Sequence, residues 1–219
     1  MRKSLTSLLG LGNIFLYSII KFIASRKCLT CSNVNYSSNK LCFECFGKLE
    51  FVSNNSSDNI AVVKYNKISE QIIHSLKYSD NHEYAVIMAD YISHFLRSHK
   101  ISYDYIIPVP ISRKKLFKQK FNHSLLIAKS ISSKKTLGNT LLKTLHTPSQ
   151  TLLNADQRRK NIKNTFALKH KFVKNLKNKT ILLLDDVTTT GSTLDECRLA
   201  LEGAKSNKII SVTFAKTYI

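Results

Sequence analysis

The stretch ILLLDDVTTTGST, Ile181 to Thr193, constrains the fold more than any other part of this chain. Ile181 to Leu184 form an unbroken apolar run, the pattern of a strand buried on both faces of a parallel sheet. Asp185 and Asp186 follow at the strand's end, and a hydroxyl-rich turn around Gly191 then leads into a helix marked by Leu194, Cys197 and Leu201. In an open α/β sheet, ligands bind at the carboxyl ends of the strands, which is where these two acids fall.

The rest of the chain supports such a sheet. Asn59 to Tyr65 reads as a strand, helical spacing follows over Ile68 to Leu76 and Tyr84 to Leu96, and Tyr103 to Pro110 reads as a buried strand stopped by prolines. Asn122 to Ser132 is helical, Thr180 to Leu184 is a strand, Thr193 to Ala204 is a helix, and Ile209 to Ala215 is a closing strand. Strands alternating with helices predict an α/β fold with a mostly parallel sheet flanked by helices. The polar run SNNSSDN, Ser53 to Asn59, reads as a linker. It divides residues 1–52, an N-terminal helix and cysteine knuckle, from residues 59–219, the sheet domain. A longer polar segment spans His146 to Asn164.

Cys28-x-x-Cys31 and Cys42-x-x-Cys45 form the knuckle. Each pair brings two thiolates to one ion from a tight turn, and together they supply the four soft ligands of a closed, structural Zn²⁺ site. Two disulfides or a redox dithiol are the competing readings; a disulfide framework would suit a small secreted domain, whereas everything downstream reads as an intracellular ligand-binding domain. Zinc held by thiolates implies a reducing cytoplasm. Cys197 lies at helical spacing with Leu194 and Leu201 and reads as core.

The turn has the makings of an anion site. Gly191 permits close backbone approach, the hydroxyls of Thr189, Thr190, Ser192 and Thr193 surround it, and the helix start adds positive potential. Two acids beside a phosphate alone would repel it; they make sense for a ligand that also carries hydroxyls or a divalent metal. A phosphorylated sugar has both features.

Taken whole, this run resembles the phosphoribosyl pyrophosphate signature D-D-x-x-T-T-G-x-T of type I phosphoribosyltransferases. The order of the other parts, the two C-x-x-C pairs, LKY (Leu76 to Tyr78), PVP (Pro108 to Pro110), FN (Phe121, Asn122), TPSQTLL (Thr147 to Leu153) and RRKN (Arg158 to Asn161), is similar to the ComF family of competence proteins. The resemblance implies a type I phosphoribosyltransferase-like parallel sheet with a small N-terminal zinc knuckle. It implies that Asp185 and Asp186 hold the ribose hydroxyls of phosphoribosyl pyrophosphate, directly or through Mg²⁺, and that Thr188, Thr189, Thr190, Gly191, Ser192 and Thr193 hold the 5′-phosphate. Lys77, Val109, Pro110 and Arg158 are implied at the pyrophosphate end, with a cis Val109–Pro110 bond one way to shape that loop. Arg159, Gln150 and Asn161 stand in the segment that closes over ligand in related transferases. Where family members carry Arg-Gly-Phe-Asn-Gln, this chain has Gln119, Lys120 and His123 in place of the Arg, Gly and Gln, and Asn81 stands near a common Gly. Lysine keeps the charge but not the bidentate fork of arginine.

Lys and Arg number 34 against 14 Asp and Glu, a formal charge of +20. A polyanion is the natural partner, a solvated basic surface the plainer alternative. Single-stranded DNA handled during natural transformation, the partner the family implies, fits such a surface, with Lys114, Lys115, Lys118 and Lys120 as phosphate contacts. A competence helicase or other DNA-processing protein is left open as a further partner. So is true phosphoribosyl transfer, since no stretch announces a pocket for an acceptor. The N-terminal run LTSLLGLGNIFLYSII is interrupted by Gly10, Gly12 and Asn13 and reads as a buried or amphipathic helix, with membrane contact open and no integral span expected.

Overall fold

The computed structural model describes residues 26–35, 39–53, 58–79, 81–144 and 165–218. The expected N-terminal helix and the central segment with Gln150, Arg158, Arg159 and Asn161 lie outside the described residues. The chain divides into two compact units, Met1–Lys48 and Leu49–Ile219.

In the first unit, β1 (Arg26–Lys27) pairs antiparallel with β2 (Val34–Asn35), so the first C-x-x-C pair sits in the turn between them. Helix α1 (Phe43–Gly47) starts from Cys42 as its N-cap and buries Cys45 in its first turn.

The second unit is built on β3 (Asn59–Lys64), α2 (Lys67–Tyr78), α3 (Glu83–Ser98), β4 (Tyr105–Pro108), α4 (Arg113–Gln119), α5 (His123–Ser132), β5 (Leu141–Lys143), β6 (Phe166–Leu168), α6 (Val173–Leu176), β7 (Thr180–Thr188), α7 (Ser192–Glu202) and β8 (Lys208–Lys216). Strands β3, β8, β7 and β4 form one sheet in that order, every neighbouring pair parallel. The expected parallel α/β sheet flanked by helices is therefore present. Ile181 to Leu184 are fully buried, as a central parallel strand covered on both faces demands. Each such leucine contributes about 2 kcal/mol by leaving water. Leu194, Cys197 and Leu201 of α7 pack on Ile181 and Leu183, so Cys197 belongs to the core.

The local chemistry sets the boundaries. Asn66 accepts hydrogen bonds from the Ile68 and Ser69 amides while Ser69 Oγ accepts from the Asn66 N–H, a capping box that starts α2. Asn122 starts α5 by accepting from the Leu125 amide. The outer edge of β3 is covered by residues 50–52, where the Val52 amide donates to the Val62 carbonyl at 3.0 Å and the Lys64 amide to the Glu50 carbonyl at 2.8 Å.

Several expectations are corrected. Strand β7 does not stop at Leu184; it runs through both acids to Thr188 because β8 pairs with it as far as Lys216. The Val109–Pro110 bond is trans, with no cis peptide among the described residues. Val109 extends the β4 ladder by donating its N–H to the Leu184 carbonyl at 2.9 Å. No local sequence pattern marks α4 or the β5–β6 hairpin. That hairpin pairs Leu141 with Leu168 and Lys143 with Phe166. Among the described residues, no helix is long and apolar enough to cross a membrane.

Candidate functional site

The four knuckle cysteines converge. The Sγ atoms of Cys28, Cys31, Cys42 and Cys45 all lie within 4.8 Å of one another, with Cys31 and Cys42 3.7 Å apart. Four thiolates at about 2.3 Å from one tetrahedral ion stand about 3.8 Å apart, so the cluster fits Zn²⁺. It does not fit a disulfide, whose sulfurs sit at about 2.05 Å, and all four cysteines are free. Burial raises the Cys28 thiol, but the Cys31 backbone, the Thr30 hydroxyl and the Cys42 backbone amide prevail and bring it to about 6. Burial pushes Cys45 up to about 12, so a full set of thiolates needs a cation among them.

In the second unit, the carboxyl end of β7 gathers residues from α2, α5 and its own backbone. Ser124 Oγ donates to Asp185 Oδ1 at 2.8 Å, and the Asp186 amide donates to the same oxygen at 2.9 Å. The Val187 amide donates to Asp186 Oδ1 at 2.8 Å, while Lys77 Nζ pairs with Asp186 Oδ2 at 2.9 Å. Lys77, expected to face an anionic ligand, thus reaches the site by way of Asp186. The pair is largely shielded, with the Asp186 side chain 11% exposed. Removing either partner leaves a buried charge, at a cost of about 3–5 kcal/mol.

Burial, and then the charge of Asp186, push the Asp185 carboxyl up to about 7 despite its hydrogen bonds. A carboxylate held this way beside a ladder end is a site signature, because hydroxyl donors or a divalent cation would draw it into its charged form. The same shift makes a stability prediction. The folded-state value lies above the ordinary 3.8, so the native state binds more protons between the two and stability falls as pH rises from about 4 to about 7. The loss is on the order of 4 kcal/mol. Asp185→Asn abolishes this penalty, so urea unfolding across that window should show the variant gaining on the wild type as pH rises. Parallel curves would contradict the shift.

His123 lies beside the acids. It is buried, and its Nε2 has no hydrogen-bond partner among the described residues. Burial lowers its pKa, with Lys77 and Lys115 adding to this against the pull of Asp186, so the ring is neutral at pH 7. Its edge meets Phe121, which in turn packs on His82.

Beyond Thr188, whose carbonyl accepts from the Thr217 amide, the turn opens to solvent. Gly191 has φ +88°, a left-handed conformation in which any side chain is strained, and it caps α7. Thr189, Thr190, Ser192 and Thr193 are exposed around that helix start. Thr190 Oγ1 donates to Ser192 Oγ at 3.1 Å. The turn therefore presents hydroxyls and first-turn amides, as an anion cradle requires.

At the β4 end, the Val109 N–H is engaged by Leu184, and the Val109 carbonyl accepts from Asn122 Nδ2 at 3.0 Å. The Val109 N–H is therefore already engaged, and Pro110 has none to offer an anion. Lys114, Lys115 and Lys118 are exposed on α4, and Lys120 is its C-cap at φ +64°.

Two features escaped the sequence reading. Ser124 stands 61 residues from the acid it binds. A cavity of about 270 Å³ adjoins the turn, lined by Thr188, Thr190, Gly191, Leu194 and Asp195 together with Asn59, Ile60, Ala61, Ser211, Thr213, Lys216 and Tyr218. Three strands and a helix distant in sequence form it, so only the fold reveals it.

Comparison with known proteins follows the same lines. No family model matches the chain. It is 35% identical over 107 residues to competence protein F of Haemophilus influenzae, covering 46% of this chain and 45% of that protein. It is 29% identical over 145 residues to DNA utilization protein YhgH of Escherichia coli O157:H7, covering 63% of this chain and 62% of that one. The chain thus spans about half to three fifths of these curated relatives. Solved structures similar to it include orotate phosphoribosyltransferase of Francisella tularensis, with a TM-score of 0.37 and 14% identity over 77% of this chain and 80% of that one. Another is Leishmania donovani UMP synthase, with a TM-score of 0.36 and 13% identity over 77% of this chain and 28% of that one.

Proposed function

We infer that this chain, which belongs to the ComF family of competence proteins, serves DNA uptake in natural transformation, binding single-stranded DNA and holding phosphoribosyl pyrophosphate at the end of β7. The observation that carries the ligand reading is the Asp185–Asp186 pair joined to the open hydroxyl turn at Gly191. Asp185 and Asp186 take the ribose hydroxyls, and residues 188–193 take the 5′-phosphate. Arg158, which the family resemblance assigns to the pyrophosphate, lies outside the described residues.

Mg²⁺ fits the same acids, because burial and the charge of Asp186 push the Asp185 carboxyl up and a cation beside the two carboxylates would relieve their repulsion. Bound there, it would neutralise the charge of a pyrophosphate leaving group. The chain's own residues fix the ribose: Ser124 orients Asp185, and Lys77 balances Asp186. Zn²⁺ in the knuckle is structural, with all four ligands supplied by protein and no position for reactive water. Thiolate ligation fits a reducing, cytoplasmic setting.

The second reading is a genuine phosphoribosyltransferase acting on a small acceptor, and the cavity of about 270 Å³ beside the turn favours it. Release of pyrophosphate in the presence of an acceptor would distinguish the two. The test of the ligand reading is calorimetry with phosphoribosyl pyrophosphate and Mg²⁺, in which the intact chain binds with a 1:1 stoichiometry.

A further inference from the structure

Helix α4 is built unlike an element that exists for packing. None of its residues is buried, and its start is held by Ser112 Oγ, which accepts from the Lys115 amide at 3.2 Å. So short a helix is marginal on its own in water. Phe117, near its centre, is 94% exposed, and Leu116 beside it is 42% exposed. Leaving a phenylalanine in water forfeits about 2 kcal/mol of burial. The flanking charges are all positive: Arg113, Lys114, Lys115, Lys118 and Lys120, with no acid in the helix. Among the described residues, no carboxylate pairs with Arg113, Lys114, Lys115 or Lys118.

The position of α4 is as telling as its composition. It begins just after Pro110 at the carboxyl end of β4, and Lys115 lies close enough to His123 to act on its charge. The helix therefore borders the site formed by Asp185, Asp186 and His123.

We propose that Phe117 is a stacking platform for an unpaired base, with the α4 cations holding the phosphates on either side of it. The inference rests on the reading that the chain binds single-stranded DNA, and it names the surface that does so. A ring flanked by cations is complementary to a strand that alternates phosphates with exposed aromatic faces. A membrane would call for an apolar stripe along a longer amphipathic helix, and α4 offers a single aromatic residue. In a duplex the bases are already stacked and offer the ring no face.

The chain has no tryptophan, so Phe117→Trp introduces a single indole as a reporter. Three probes separate the possibilities: a thymidine oligonucleotide, an abasic oligonucleotide of the same length, and phosphatidylglycerol vesicles. The expected result is that the thymidine strand quenches the indole while the abasic strand, which keeps its phosphates, does not. Phe117→Ala should weaken the thymidine complex about tenfold, the size of one stacked base, and leave the salt slope unchanged. DNA binding with unchanged emission and an Ala variant of wild-type affinity would overturn the stacking role alone, leaving DNA binding in place. A spectral shift on vesicles with none on DNA would assign the helix to membrane instead. Failure of the intact chain to bind either strand would remove the DNA reading and this inference together.

Discussion

Cys28→Ser and Cys45→Ser should each abolish binding of the zinc ion proposed for the four-cysteine cluster and unfold the N-terminal knuckle, while the parallel sheet keeps its structure. The knuckle has little else to hold it: its described elements are two-residue strands and a five-residue helix, and Cys28 and Cys45 are themselves among its buried residues. Structural zinc contributes about 10–16 kcal/mol in such settings, more than so small a unit recovers from burial. Elemental analysis should find one zinc per intact chain and a large deficit in either variant. Limited proteolysis should then cut readily within residues 26–48 while residues 165–218 stay protected. Stoichiometric zinc in Cys28→Ser would contradict the four-thiolate site.

Replacing Lys114, Lys115, Lys118 and Lys120 together by glutamate should produce the second large effect. Each phosphate neutralised on a single strand contributes about 0.7 to the slope of log affinity against log salt, so loss of four contacts lowers the slope by about 3. At low salt the affinity should fall by about a hundredfold or more, because like charges then face the strand. α4 buries none of its residues, so the variant should unfold at the same denaturant concentration as the wild type. That separates a binding defect from a folding one. The plainer view of a +20 chain is that its cations only solvate a surface. On that view the four changes would act in proportion to net charge alone, and reversing four exposed lysines elsewhere would do the same.

Much of the architecture could be read from the sequence because its signals are local. The apolar run Ile181 to Leu184, the alternation of strand and helix, and the paired C-x-x-C spacing each declare themselves within a few residues. β7 ran longer than its hydrophobic pattern because its end is set by pairing with β8, a property of another strand. The β5–β6 hairpin was missed because three-residue strands carry no measurable period and their partners lie on either side of a long insertion. Helix α4 was read only as a run of charge, since it has no buried face to impose a helical pattern.

The site divides in the same way. The turn around Gly191 was legible, since a glycine among hydroxyls after a strand announces its own geometry. The partners of the acids were not. Lys77 reaches Asp186 from α2, and Ser124 reaches Asp185 from α5, contacts that exist only once the sheet is assembled. The engagement of the Val109 amide by Leu184 likewise depends on the pairing of β4 with β7. His123, with its buried and unpartnered Nε2, looked like one more polar residue in the sequence.

Calorimetry on the intact chain with phosphoribosyl pyrophosphate and Mg²⁺ tests most directly whether the end of β7 holds a phosphorylated ribose. Saturable 1:1 binding is expected, lost when Asp185 and Asp186 are both changed to asparagine in a variant whose circular dichroism matches the wild type. No heat from the intact chain, or equal binding by the double variant, would contradict it.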